Sequence, residues 1–262
     1  MVLLVIRQYE GKSYRLFSEW LVGAYYLRMF LQLSHIPHFT TLQKFTERIS
    51  GTLLERIISS FIVLTKIGQL FVGIDSSGFK ATHASQYYAE RIKLKRRRRK
   101  YIKLSLAADV LQQIICTIKN RRAQTRQDNI DFRPLIIKLS ESVQLSVITA
   151  DKAYDSEDNH VLVRDVLHTL SVIPARYEHV PIGTTHGKYR KQMKRSYSKL
   201  LYNQRSKNEA ILSVIKRLFG EHITSRSVKT QNRVIIQMHS IQHPQIDSSH
   251  YNIRWFLLSP YD

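Results

Sequence analysis

Phe71-Val72-Gly73-Ile74-Asp75-Ser76-Ser77-Gly78-Phe79-Lys80 is the stretch on which the reading of this chain turns. Its first half has the β-branched and aromatic content of a buried strand, and its second half is made of ordinary turn formers. The pattern predicts a strand over Leu70 to Ile74 that delivers one carboxylate, Asp75, at its end and then turns. Taken alone, that is only a turn after a strand. The same design returns at Leu145-Ser146-Val147-Ile148-Thr149-Ala150-Asp151: a β-rich run, a carboxylate, a turn. In an α/β fold the polar groups at strand carboxyl ends gather in one crevice, so two such aspartates can converge from neighbouring strands.

Composition narrows the partner. The 262 residues suffice for one large domain with a small accessory region, and 43% hydrophobic content argues for a folded core. Lys and Arg number 41 against 20 Asp and Glu, a net charge of +21, far more than solubility asks for, so polyanions are the expected partners. An acidic membrane surface is the competing partner, but the basic clusters have no lipid-facing helix or anchor motif beside them. The opening apolar run, Met1 to Ile6, stops at Arg7 and is neither a membrane span nor a signal peptide. The expected setting is intracellular. The single cysteine, Cys116, sits in an apolar run and reads as a buried reduced thiol; the 11 His follow no metal-binding spacing.

In chain order, residues 1–66 read as a helical region. Ser13 to Leu33 is one apolar helical stretch, Thr40 and Gln43 have capping-box spacing, Gly51 closes a short helix, and a further helix runs from about Thr52 to Lys66. A helix-turn-helix DNA-binding module and a helical cap on the core both fit. After the first strand, nine of the thirteen positions 91–103 are cationic, Arg96, Arg97, Arg98, Arg99 and Lys100 among them. This run leads into a strand at Tyr101 to Val110, and a hairpin would carry its charge beside Asp75 as phosphate contacts. A third strand is expected over Leu111 to Ile118, then a loop and short helix broken at Pro134, a helix over Asn159 to Leu170, and a short strand at Ser171 to Pro174. From Lys188 to Lys207 eight cations, including Lys191, Lys194, Arg195, Arg205 and Lys207, are interleaved with Tyr189, Tyr197 and Tyr202, a surface suited to a phosphate backbone. Glu209 opens a helix that ends at Gly220, with Ile211, Val214, Ile215 and Leu218 on its core side and Glu209 and Lys216 on the other. Arg205 and Glu209 also have the spacing of a plain i,i+4 ion pair.

Together these pieces resemble the insertion-sequence transposases with a DDE catalytic core, in particular the IS4/IS5-like superfamily. The resemblance rests on Gly73 to Phe79, on Thr149-Ala150-Asp151-Lys152-Ala153-Tyr154-Asp155, and on the string from Tyr202 to Lys216. That string fits the family's Tyr, two residues, Arg, three residues, Glu, six residues, Lys signature at every fixed position. The resemblance implies an RNase H-like mixed-sheet core with flanking helices over residues 67–241. It also implies metal ligation by Asp75, Asp151 and Glu209, and roles near the DNA ends or the active centre for Tyr202, Arg205 and Lys216. Double-stranded DNA, as terminal inverted repeats and target, is the implied partner, with a homodimer during synapsis and a prokaryotic cytoplasm or nucleoid as the setting. Residues 242–262 fit poorly and read as a truncated or decayed tail.

The chemistry follows on physical grounds as well. Three converging carboxylates raise one another's pKa values unless cations share the site, and oxygen ligands suit Mg²⁺ or Mn²⁺. Two ions about 4 Å apart activate the attacking oxygen and stabilise the leaving one in phosphoryl transfer. The rivals are an RNase H-like nuclease that cuts without joining and a DNA-binding remnant without catalysis. A serine hydrolase is disfavoured because Asp75 stands where a nucleophile elbow needs its serine, and a glycosidase would leave the positive charge unused.

Overall fold

A computed structural model describes residues 1–64, 68–81, 101–122, 128–223, 225 and 229–236. Five helices come first: α1 Val2–Tyr9, α2 Tyr14–Gly23, α3 Tyr25–Phe30, α4 Phe39–Arg48 and α5 Gly51–Leu64. The stretch expected as one helix from Ser13 to Leu33 is two, because the backbone leaves helical geometry at Ala24. The expected capping box is absent. His38, not Thr40, is the N-cap of α4, its ring accepting from the Thr40 N–H, and Gly51 begins α5 under a cap from Ser50 rather than ending α4.

The sheet follows: β1 Gln69–Lys80, β2 Tyr101–Asp109, β3 Ile114–Arg122, β4 Gln144–Ala150 and β5 Leu170–Val172, in spatial order β3-β2-β1-β4-β5. β1, β2 and β3 form an antiparallel meander, whereas β4 and β5 join in parallel. The mixed sheet with helices on its faces is the expected class. β1 corrects the reading of its own sequence, since it runs on through Asp75, Ser76 and Ser77 to Lys80. The reason is non-local: the antiparallel ladder with β2 pairs Asp75 with Leu106 and continues to Lys80 and Tyr101, giving the Ser-Ser-Gly segment strand partners it could not find locally. β3 begins later than expected because residues 110–113 make the turn, with Gln113 at φ +58°. Asp109, almost fully buried, holds that turn by accepting the Gln112 N–H at 3.0 Å and the Phe71 N–H at 3.1 Å.

The remaining helices are α6 Asn129–Ser140, α7 Glu157–Val161, α8 Lys188–Arg195, α9 Lys199–Asn203 and α10 Ser206–Phe219. Pro134 lies inside α6 without ending it; Ile130, whose carbonyl loses its helical donor to the proline, is exposed. α7 passes into a π turn over Leu162–Val166, and His168 at φ +50° ends the segment before Leu170. α10 starts at Ser206, so Glu209 sits within its first turn. Residues 229–236 are helical. Cys116 is buried, and burial pushes its thiol pKa far up, as an inert core residue requires.

Two apolar clusters sandwich the sheet. Phe79, Leu104, Leu106 and Ala108 pack with Phe17, Leu21, Leu54, Ile211 and Ile215 from the N-terminal helices and α10. Val72, Ile74, Ile148 and Ala150 pack with Phe132, Leu135 and Ile136 of α6 and with Tyr154 and Val163. Period-two alternation along β1 therefore sends Gly73, Asp75, Ser77 and Phe79 toward α10 and Val72, Ile74 and Ser76 toward α6.

Candidate active site

The parallel ladder of β1 and β4 ends with Ile74 opposite Ala150. Asp75 and Asp151 are thus the next residue on each strand, beyond the last pair. Each accepts the backbone N–H of its own successor, Asp75 Oδ1 from Ser76 at 2.8 Å and Asp151 Oδ1 from Lys152 at 2.6 Å. The third acid comes from α10. Arg205, immediately before that helix, reaches both ways: its Nη2 donates to Glu209 Oε1 at 3.0 Å and its Nη1 lies 3.7 Å from Asp75 Oδ2. The pair read from sequence as an i,i+4 bridge is one half of a three-residue bridge.

Asp75 feels this company. Burial raises its pKa above the ordinary carboxylate range, the Ser76 N–H and Arg205 pull back, and the charges of Glu209 and Asp151 push it up again. Arg205 loses solvation, but Tyr202, Asp75, Asp151 and Glu209 outweigh that loss and hold it protonated. Its guanidinium also lies 5.7 Å from the Tyr202 ring centroid. An open cleft of about 560 Å³ runs along this face, lined by Asp75, Ser77, Glu209, Leu212, Ser213 and Lys216. Leu212 is buried, and Leu218, expected in the core, is exposed.

The α10 packing has a specific cause. Asn208 is fully buried beside Glu209, and a Cβ at Gly73 would come within 2.4 Å of its Nδ2 and 2.7 Å of Val110 Cγ1. Only glycine at 73 lets the helix approach this closely. The packing of Gly73 against Asn208 is not legible in the sequence, because the contact joins residues far apart in the chain. On the other face of β1, Ser76 Oγ donates to Asp128 Oδ2 at 2.9 Å, and Lys103 pairs with the same carboxylate. Asp131, fully buried, takes Arg121 Nε at 2.7 Å and Ser105 Oγ at 2.8 Å. In the sequence these two aspartates fall in the stretch expected as a loop and short helix.

Of the expected DNA-contacting residues, Arg96, Arg97, Arg98, Arg99 and Lys100 lie outside the described residues. Lys191, Lys194 and Arg195 are on α8, with Arg195 exposed and Lys194 Nζ bonded to the Val180 carbonyl. Tyr202 makes an edge contact with Tyr197 at 5.7 Å. Lys207 is half-buried near Asp109, and Lys216 lines the cleft, 3.6 Å from Glu221 Oε1 and 6.0 Å from the Phe79 ring. Among the described residues, no three His, Cys, Asp or Glu side chains are gathered as a metal cluster. Arg205 instead supplies the positive charge between Asp75 and Glu209. The donors around it are carboxylate oxygens, the ligand type of a hard dication, and the raised pKa of Asp75 is what a nearby cation would relieve, so the residues fit such an ion in chemistry.

A five-stranded mixed sheet with helices on both faces, two of its carboxylates just past the last pair of the parallel β1–β4 ladder, is an RNase H-like architecture. The chain belongs to the Transposase DDE domain family, whose profile matches residues 68–243. No curated protein matches it. Among solved structures it is similar to a Mos1 transposase paired-end complex with left transposon end, at 12% identity over 88% of this chain and 74% of that one, TM-score 0.30. It is also similar to a pre-cleavage Mos1 transpososome, at 12% identity over 96% and 78%, TM-score 0.28. No helix among the described residues is long and apolar enough to cross a membrane.

Proposed function

We propose that the chain is a DNA transposase of the IS4/IS5-like kind, cutting phosphodiester bonds at the ends of an insertion element and joining the freed ends to target DNA. The observation that carries the reading is the register of β1 and β4, which brings Asp75 and Asp151 side by side while Arg205 ties Asp75 to Glu209. Asp75, Asp151 and Glu209 would hold Mg²⁺ or Mn²⁺, two ions in the expected arrangement. When bound, such ions supply Lewis-acid charge and lower the pKa of the attacking hydroxyl.

The chain's own groups do the rest. Arg205 holds Glu209 and Asp75 in place before DNA arrives, and its fixed positive charge matches a phosphate oxygen as well as a carboxylate. Lys216 brings a second cation into the same cleft. Lys191, Arg195, Lys207 and the run Arg96–Lys100 supply the sequence-independent attraction to double-stranded DNA expected of a chain carrying +21. Two DNA ends must meet in one reaction, so a homodimer at synapsis is part of the proposal. Residues 67–241 form its catalytic unit, and the helices of residues 1–66 cap that unit or contact DNA.

Purified protein incubated with Mn²⁺ and a duplex carrying the element's terminal repeats is expected to nick at the repeat end and to yield strand-transfer product. Asp151→Ala is expected to abolish both. Equal product from the two proteins would sink the assignment. Cutting without joining would move the protein to the nucleases, and salt-sensitive binding that survives loss of all three acids, without cutting, would make it a DNA-binding remnant.

A further inference from the structure

Four and six residues after Asp151 stand two more carboxylates, Asp155 and Glu157, and both are spent on one basic helix. The Asp155 side chain is fully buried and takes a two-pronged bond from Arg190, Nε to Oδ1 at 2.8 Å and Nη2 to Oδ2 at 2.7 Å, while the Arg176 N–H adds a third at 2.9 Å. Glu157 caps the same helix from outside it: Oε1 accepts the Tyr189 N–H at 3.0 Å and Oε2 the Arg190 N–H at 3.1 Å. These are open donors of the first turn of α8, and Gly187, the N-cap residue, has no side chain to meet them. A Cβ at Gly187 would fall 1.9 Å from Glu157 Oε2, and its φ of +92° suits glycine alone. Arg164 Nη1 holds Gln192 at 2.8 Å, Tyr189 bonds Asp165, and buried Met193 anchors the underside.

We infer that Asp155, Glu157 and Arg190 are positioning residues that lock α8 to the turn carrying Asp151, so that a phosphate backbone lying on that helix is held at a fixed offset from the catalytic carboxylates. This rests on the reading of α8 as a DNA-contacting surface. The segment 151–157 is rigid for reasons visible in its bonds. A short 3₁₀ turn, Lys152–Tyr154, closes with the Tyr154 N–H on the Asp151 carbonyl at 2.9 Å, and Tyr154 is buried under the sheet. One stiff turn therefore ends in a catalytic acid on one side and the helix clamp on the other. The clamp neutralises Arg190 internally and Lys194 bonds the Val180 carbonyl, leaving exposed Lys188 and Arg195 and half-buried Lys191 as the helix's cations for DNA. Loss of an offset costs rate rather than affinity, because misplacement by about 1 Å costs roughly a hundredfold in reactions set by orientation.

Three measurements on the full chain test this. Amide hydrogen exchange without DNA is expected to rise by about tenfold or more over residues 188–195 in Asp155→Asn and in Glu157→Gln, with β1 and β4 unchanged; unchanged α8 protection in both variants overturns the clamp. Binding of a random-sequence duplex across a salt series is expected to weaken in Lys191→Gln/Arg195→Gln, with a salt slope shallower by about 2, while Asp155→Asn stays within about twofold. No loss in the lysine and arginine variant overturns α8 as a DNA surface and leaves the clamp intact. Mn²⁺-dependent nicking of a terminal-repeat duplex by Asp155→Asn, assayed well below its melting temperature, is expected to show kcat down about tenfold or more, KM little changed and cuts spread over neighbouring phosphates. Arg190→Gln is expected to add nothing to Asp155→Asn. A single sharp cut site at the wild-type rate, or effects of the two substitutions that multiply, would overturn the positioning role.

Discussion

The cleft between β1 and α10 and the junction between α7 and α8 are both built from carboxylates and arginines, yet they are wired in opposite ways. At the junction the acids are saturated: Asp155 takes three bonds, and Glu157 meets two backbone donors. In the cleft one arginine serves two acids, the third acid adds its own charge, and burial raises the Asp75 pKa. Saturated charge holds structure together, whereas under-neutralised charge stores an affinity for cations. The difference separates a clamp from the proposed reaction centre without appeal to residue type.

The contrast is broken most directly at Asp75. Asp75→Asn is expected to lower Mn²⁺-dependent nicking by about a thousandfold or more, read from single-turnover kinetics. The same substitution is expected to leave the melting temperature unchanged or raise it. The folded-state pKa is raised, so the stability this group contributes when protonated is lost as pH rises through it, and Asn mimics the protonated form. A clear fall in melting temperature would show that Asp75 belongs with the saturated acids.

The junction carries its own titration. His160 is fully buried, its Nδ1 lying 2.7 Å from Ser171 Oγ, and burial with the charge of Arg164 lowers its pKa from 6.5 to about 4 against the opposing pull of Asp155 and Glu157. The unfolded chain binds the proton first, so stability is intact above about pH 6.5 and falls by about 3 kcal/mol as pH drops to about 4. Urea denaturation across that window measures it, and His160→Gln is expected to flatten this part of the profile.

Two glycines give a matched pair of smaller effects. Gly73→Ala drives a methyl into Asn208 and Val110 and is expected to cost about 2 kcal/mol while displacing Glu209, so melting temperature and nicking fall together. Adding Asn208→Ala is expected to restore part of both. Gly187→Ala forces a positive φ on alanine and crowds Glu157; about 1 kcal/mol of lost stability is expected, with the damage confined to hydrogen exchange in α8.

The apolar run of β1 and the carboxyl end of β4 were readable because an apolar run abutting a single acid is a local pattern, and the Tyr202 to Lys216 spacing is local too. What escaped the sequence depended on partners distant in the chain. Ser76 and Ser77 look like turn residues until β2 supplies their ladder. Arg190 finds Asp155 across 35 residues, and Gly73 matters only because Asn208 arrives against it. Thr40 failed as a cap for the opposite reason: a nearer competitor, His38, occupied the role.

The parallel ladder of β1 and β4 has a consequence for how the molecule comes into being. Leu70 and Ser146, bonded across it, are 76 residues apart, whereas β2 and β3 close through a short turn. Loop-closure entropy makes such a pairing late in folding, and α10 must dock on a strand that is already in place. A chain still emerging from the ribosome would thus carry its basic segments before it possesses the site proposed to cut DNA.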